Sequence, residues 1–210
     1  MRIIIFLCLL MLLPPMSAQV FKGGFVAGLA FSQVEGDDFS GYKKPGIQAG
    51  FVSDAYFSPK FSGGFEILFS QRGANTDFNP DKYLDGFSMR FNYIEIPAVI
   101  KYHDKNKMVF GLGLVYSRLL NSKLITQGIE DDQYFIINPP HKSDYGFTAI
   151  ISYPLYKILS VDIKYNYSLL PFRKDNVSNF RNLGQYHNFI ALRFSVLFNA
   201  LGKQNALLSE

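Results

Sequence analysis

From Gln185 to Phe198 the chain alternates with a period of two. Ile190, Leu192, Phe194, Val196 and Phe198 are large and apolar, while Ala191, Arg193 and Ser195 stand between them. Successive side chains of a strand point to opposite faces, so this segment has one greasy face and one mixed, polar face. Its length suits a tilted strand crossing a bilayer, which takes about 9–11 residues.

Seven further segments repeat the design. Phe25, Ala27, Leu29 and Phe31 alternate with small residues. Ile47, Ala49 and Phe51 stand against Gln48 and Gly50. Phe61, Phe65, Ile67 and Phe69 stand against Gly64, Glu66, Ser70 and Arg72. Ile94, Ile96, Ala98, Ile100 and Tyr102 oppose Tyr93, Glu95, Pro97 and Lys101. Phe110, Leu112, Leu114 and Tyr116 oppose Gly111, Gly113 and Ser117. Tyr145, Phe147, Ala149, Ile151 and Tyr153 oppose Asp144, Gly146, Thr148 and Ser152. Val161, Ile163, Tyr165 and Tyr167 oppose Asp162, Lys164, Asn166 and Ser168.

A soluble lipocalin-type barrel would alternate in the same way with its apolar face inside, and volume separates the two. An eight-stranded interior is just wide enough for side chains to fill, and about thirty large ones would not fit. The set rich in Gly, Ala and Ser, with scattered charges, fits inside. The apolar set must then face outward, which only lipid makes stable.

The connections fall into two classes in strict alternation. Long polar ones run over 34–44, 73–88, 121–142 and 171–184; short ones centre on 58–60, 103–107 and 154–157. An even number of strands with short turns at one end and long loops at the other is the pattern of a bacterial outer-membrane barrel. The expected fold is all-β: an eight-stranded antiparallel up-and-down transmembrane β-barrel with short periplasmic turns, periplasmic termini and four longer outer loops.

At the N-terminus Arg2 precedes an apolar run from Ile3 to Leu13, and Pro14-Pro15-Met16-Ser17-Ala18 follows. That is the layout of a secretory signal peptide cleaved before Gln19, and the run is too short to span a bilayer. The expected organisation is a leader over 1–18, a barrel over 19–198 and a short tail over 199–210. The single cysteine, Cys8, lies in the leader, behind Phe6-Leu7 rather than the small residues of a lipoprotein signal. The mature chain therefore has neither a disulfide scaffold nor a thiol nucleophile. Its net charge falls from +4 to +3 when Arg2 leaves. Without a basic cluster, that gives no case for nucleic acid.

Glu66, Arg72, Glu95, Lys101, Asp162, Lys164 and Arg193 are the charges on the polar faces of strands three, four, seven and eight. They form the candidate site: a pore lining or proton path on one reading, an interior network plugging a narrow lumen on the other. The plug is the reading adopted, since buried unpaired charges are costly and facing ones can pair. Glu66 and Glu95 as an acid/base pair lack a nucleophile or a pocket signature. His103, His141 and His187 lack metal-ligand spacing. Asp37-Asp38 and Glu130-Asp131-Asp132 read as solvated loop charge rather than a cation site. No metal and no cofactor is expected. Pro97 cannot donate a ladder hydrogen bond, so a bulge or kink is expected there. Tyr102, Tyr116, Tyr153 and Tyr167 near strand ends read as interface-belt residues.

The order of motifs resembles the PorT-like outer-membrane β-barrel family of Bacteroidota over nearly the whole mature chain. The carrying pieces are Gly24–Ser32 with the acidic Gly36-Asp37, Lys44-Pro45-Gly46 with Ala49-Gly50, and the run from Glu66 to Gly73. Asn92-Tyr93-Ile94-Glu95-Ile96-Pro97 with Lys101-Tyr102, Gly111-Leu112-Gly113, and Tyr165 to Pro171 complete them. The resemblance implies a barrel anchored in the outer membrane. The founding member's link to the type IX secretion apparatus implies envelope or secretion proteins as further partners.

The leading expectation is a non-enzymatic outer-membrane protein, embedded in outer-membrane lipid, that acts through its outer loops. The alternative is an accessory component of a secretion or envelope-assembly machine. A small-barrel enzyme of acyl transfer or lipid hydrolysis would need a Ser/His or Asp/His constellation at a rim, and the sequence assembles none. A passive porin is disfavoured by the narrow lumen of eight strands.

Overall fold

The computed structural model describes residues 20–36, 41–76, 86–126, 128–130, 134–137, 139–173 and 184–199. The leader expected over 1–18, the tail beyond Asn199, Asp37-Asp38 and Asp131-Asp132 lie outside the described residues.

The described strands in chain order are β1 (Val20–Glu35), β2 (Lys44–Tyr56), β3 (Phe61–Thr76), β4 (Phe87–His103) and β5 (Val109–Thr126). A two-residue strand β6 (Ile129–Glu130) and a one-turn helix α1 (Tyr134–Ile137) follow, and then β7 (Ser143–Pro154), β8 (Leu159–Ser168) and β9 (Tyr186–Asn199). Each long strand pairs antiparallel with its sequence neighbour, β5 passing to β7. The sheet closes where β1 meets β9, from Lys22↔Asn199 to Glu35↔Tyr186. The result is a closed eight-stranded antiparallel barrel, with β6 an added flap on β5.

The alternation decides the faces. Phe51, Ile100, Leu112 and Leu114 are each more than 60% exposed, while Val26, Val52 and Val99 between such positions are nearly inaccessible. Small residues let the strands close. At Gly113 an added Cβ would lie 2.0 Å from the Ala98 carbonyl oxygen of β4.

Two details depart from the sequence reading. First, β3, β4 and β5 run past the expected loop boundaries at Gly73, Ser88 and Asn121 and build a tall wall at the long-loop end. Alternation fades there because both faces leave the bilayer, yet the backbone ladder continues. Second, of the bulge or kink expected at Pro97 the register shows no bulge, only a lapse in one ladder. The β3–β4 ladder lapses at Glu66 and Ile67, opposite Pro97 and Ile96, and resumes at Leu68↔Glu95 in unshifted register. The irregularity lies instead between β4 and β5, where Asn92↔Asn121 is followed by Tyr93↔Leu119 and Leu120 is the extra residue.

Candidate functional site: the barrel interior

The lumen is stacked in three layers. At mid-barrel, side chains from β2, β3, β4, β5, β7, β8 and β9 converge on an ionic cluster. Arg72 holds Glu95 Oε1 with Nη2 at 2.6 Å and Nε at 3.0 Å, and donates from Nη1 to Asp144 Oδ2 at 2.8 Å. Its Nη2 also reaches Ser117 Oγ at 2.8 Å. Lys164 Nζ lies 3.3 Å from Glu95 Oε2 and 3.6 Å from Glu66 Oε2. Arg193 places Nη1 at 2.9 Å from Glu66 Oε2 and Nη2 at 3.3 Å from Oε1, with Asp162 Oδ2 at 3.5 Å. Gln48 ties the halves together, donating to Glu95 Oε2 at 3.1 Å and accepting from Arg193 Nη1 at 3.3 Å.

Six of the seven candidate charges, Glu66, Arg72, Glu95, Asp162, Lys164 and Arg193, thus meet in one cluster. Lys101 does not. It sits nearer the short-turn end and donates to both oxygens of Asp54, at 2.7 and 2.9 Å. The sequence reading left out Asp54, and it named Gln48 and Asp144 on polar faces without making them candidates. Asp144 and Gln48 carried a signal, since both stand on the polar face of their strands. Asp54 lies at the end of β2, past the stretch where alternation is clear.

Toward the long-loop end the lumen turns aromatic, which the sequence reading did not anticipate. Phe91, Tyr93, Phe172, Phe189 and His187 are all fully buried. Phe172 stacks on the His187 ring at 3.9 Å, and Phe91 meets Phe172 edge-on at 5.2 Å. Tyr93 Oη lies 3.0 Å from His187 Nε2. Phe135 of α1 packs edge-on against Phe91 at 5.4 Å. The Arg72 guanidinium lies over the Tyr93 and Phe189 rings, at 4.7 and 5.0 Å, so cation–π contact joins the ionic layer to the aromatic one. Phe172 reaches this position because 171–173 and 184–185 turn inward, with Phe172 N donating to Gln185 O and Gln185 N to Arg173 O.

Toward the short-turn end the barrel opens into a vestibule of about 760 Å³. Val26, Val52, Ile150 and Leu197 form its walls, Glu66, Asp162 and Arg193 its floor, and Lys107 and Lys157 of the turns its mouth. At this rim Ser62 Oγ lies 2.7 Å from His103 Nε2, a Ser–His contact the sequence reading did not assemble. Ser62 is fully buried and does not line the vestibule, so a substrate has no approach to its hydroxyl. The contact pins the His103 ring. His141 is exposed in the third outer connection, far in role from either. Among the described residues no group of three or more His, Cys, Asp or Glu is placed to hold a metal ion.

Comparison with curated proteins finds no match. Among solved structures, the chain is similar to the attachment invasion locus protein Ail of Yersinia pestis, in complex with the heparin analogue sucrose octasulfate. That match has 13% identity and a TM-score of 0.48, over 85% of this chain and 99% of that one. It is also similar to Neisserial surface protein A, with 11% identity, a TM-score of 0.48, and 87% and 100% coverage. The outer membrane protein OprG of Pseudomonas aeruginosa matches with 11% identity, a TM-score of 0.45, and 87% and 96% coverage. The model of the outer membrane protein beta-barrel domain family matches residues 16–173, well over half the chain. Closed strands with a lipid-type outer face and that match agree: the chain belongs to the outer membrane protein beta-barrel domain family and is an outer-membrane barrel.

Proposed function

We propose that this barrel is a non-enzymatic, structural or interaction protein that presents its outer loops and carries a lumen closed to through-flow. The observation that carries the reading is the pair of closures in series. A fully buried ionic cluster spans the middle, and Phe172 and Phe135 are drawn into the long-loop end above it. A solute would have to break several buried ion pairs and displace a packed aromatic layer. Catalytic groups are typically left free to engage substrate in a cleft, whereas the Glu66, Asp162 and Arg193 that floor the vestibule are spent on one another.

The chain organisation completes the reading: a leader over 1–18 that exports the protein, a barrel over 19–198 and a tail over 199–210. The motif resemblance supports the PorT-like branch in Bacteroidota, with the long loops outside. It also supports the second reading, an accessory part of a secretion or envelope-assembly machine, whose partners would be other envelope proteins.

Reconstitution into planar bilayers tests the closure. The wild-type protein should show no steady unitary conductance, and a stable open channel would end the plugged-lumen reading. Cross-linking in native membranes separates the two roles: a defined secretion partner recovered with the barrel would favour the machine component.

A further inference from the structure

The outward face at the long-loop end is electrically lopsided. On the β8–β9–β1 side, Glu35 accepts from Tyr167 Oη at 2.9 Å and Asn188 Nδ2 at 2.8 Å, and Tyr42 Oη donates to Asn188 Oδ1 at 3.0 Å. That side is a closed, acid-centred network. The β4–β5 side is the opposite. Arg118 follows Tyr116 at the edge of the apolar band, and Arg90 and Lys123 are directly opposite each other further up the tall wall. All three are exposed.

Like charges directly opposite on a strand pair are destabilising, so the Arg90–Lys123 juxtaposition is a cost unless an anion answers it. Glu130 of β6 pairs with Lys123 at 2.7 Å and answers one cation. Among the described residues Arg90 makes no ion pair, and the Arg118 side chain makes only a hydrogen bond to Ser143 Oγ at 3.1 Å. Between the two levels lie the Asn92–Asn121 amide pair, Nδ2 to Oδ1 at 2.6 Å, and the extra residue Leu120, an exposed apolar side chain. Arg118 pairs with Ile94, four residues along β4 from Arg90. The two cationic levels are therefore about 13 Å apart along the strand at roughly 3.3 Å per residue.

We propose that this ladder is a binding site for the headgroup of an outer-leaflet glycolipid bearing two separated phosphate groups. Arg118 takes one phosphate at the band edge, and Arg90 takes the other above it, beside the Lys123–Glu130 pair. Three features select this ligand. The site begins where the apolar band ends, at headgroup level. Its two arginines can each fork onto phosphate oxygens. Its amides and Leu120 suit the sugar and chain junction between. A single-phosphate lipid would satisfy only one level. The inference rests on the membrane barrel with long loops outside.

The test uses the full mature barrel refolded in detergent, with heat-modifiable gel mobility as the check on folding. Binding is measured by native mass spectrometry to diphosphorylated lipid A, to its fully dephosphorylated form, and to phosphatidylglycerol. The diphosphorylated lipid should bind at least ten-fold more tightly than the other two. The Arg90→Gln/Arg118→Gln variant should lose at least ten-fold, and Arg118→Glu alone should lose a comparable amount. Lys60→Gln, an exposed cation in the β2–β3 turn at the opposite end of the barrel, should change nothing. Equal affinity for phosphatidylglycerol, or undiminished binding by either arginine variant, overturns the site and leaves the barrel standing. A wild-type protein that never gives the heat-modifiable form overturns barrel and site together.

Discussion

Arg193 and Glu66 are 127 residues apart in the chain and face each other across the lumen as a forked pair, Nη1 to Oε2 at 2.9 Å and Nη2 to Oε1 at 3.3 Å. They stand on β9 and β3, two strands that are not neighbours in the sheet, so the pair braces the barrel across its width. Among the described residues, Arg193→Leu leaves Glu66 with Lys164 as its one ion-pair partner and Asp162 with none. Breaking one side of a buried pair costs about 3–5 kcal/mol, and the urea midpoint in detergent should fall accordingly. A neutral Arg193→Leu would mean the interior is wet enough to hydrate both carboxylates.

The next residue along gives the converse. Phe194 is half exposed on the lipid side. Phe194→Leu should be mild, while Phe194→Arg near mid-membrane should cost about 2–4 kcal/mol in a bilayer. Tolerance of the arginine in lipid vesicles would contradict the outward face of β9.

Arg72 and Glu95 supply a cycle. Among the described residues Arg72→Met takes away the one cation paired with Asp144 and leaves Glu95 with Lys164, and should destabilise by about 3–5 kcal/mol. Glu95→Gln in that background should recover part of the loss, because Lys164 then no longer has to answer both Glu95 and Glu66. Strict additivity of the two substitutions would show that the pair is not coupled.

Close strand approach makes a contrast between glycines. At Gly113 a Cβ would collide with the β4 backbone at 2.0 Å, whereas at Gly23 it would meet nothing within 4 Å. Gly113→Ala should cost about 1–3 kcal/mol as an overpacked site and Gly23→Ala should be close to neutral. Equal folding yields for the two would refute the contact.

Phe172 should behave as a core residue although it belongs to an outer connection. Phe172→Ala removes a side chain stacked on His187 and packed edge-on against Phe91, a change that costs about 3–5 kcal/mol in a well-packed interior. Thermal unfolding in detergent reads it. A midpoint unchanged within error would mean that the connection rests on the barrel without supporting it.

A surface test fixes direction. An epitope inserted within 77–85 should be reachable by antibody on intact cells, and one placed at Ser58 in the β2–β3 turn should be reachable only after permeabilisation. The reverse pattern would invert the barrel.

The eight strands were legible because lipid on one side and a confined lumen on the other force strict alternation on Phe51, Ile100, Leu112 and their neighbours. Where the strands leave the bilayer that forcing ends, so the upper reaches of β3, β4 and β5 read as loop. The polar face marked Glu66, Arg72 and Arg193 as candidates, but alternation says nothing about partners. Pairing Arg193 with Glu66 and Lys101 with Asp54 depends on barrel stagger, a property of the closed sheet. The aromatic layer was missed for a related reason. The volume argument sends large side chains outward on average, yet Phe91 and Phe189 occupy polar-face positions and fill the end where Phe172 folds in. At Pro97 the ladder lapses without a bulge, because a missing N–H forbids one hydrogen bond without requiring a shift of register.

The seam between β1 and β9 has a bearing on the order of events in assembly. The first described strand must find the last, so the one ladder that eliminates the open edges is also the one of greatest sequence separation. Such distant pairings form late because loop-closure entropy must be overcome first. Until the β9 segment has been delivered, β1 offers a bare row of amides and carbonyls, the kind of edge that recruits another chain. A chain shortened within β9 would have no partial ring to settle into. It should remain an open, self-adhesive sheet that needs an escort, whereas a chain shortened within an outer loop could still close.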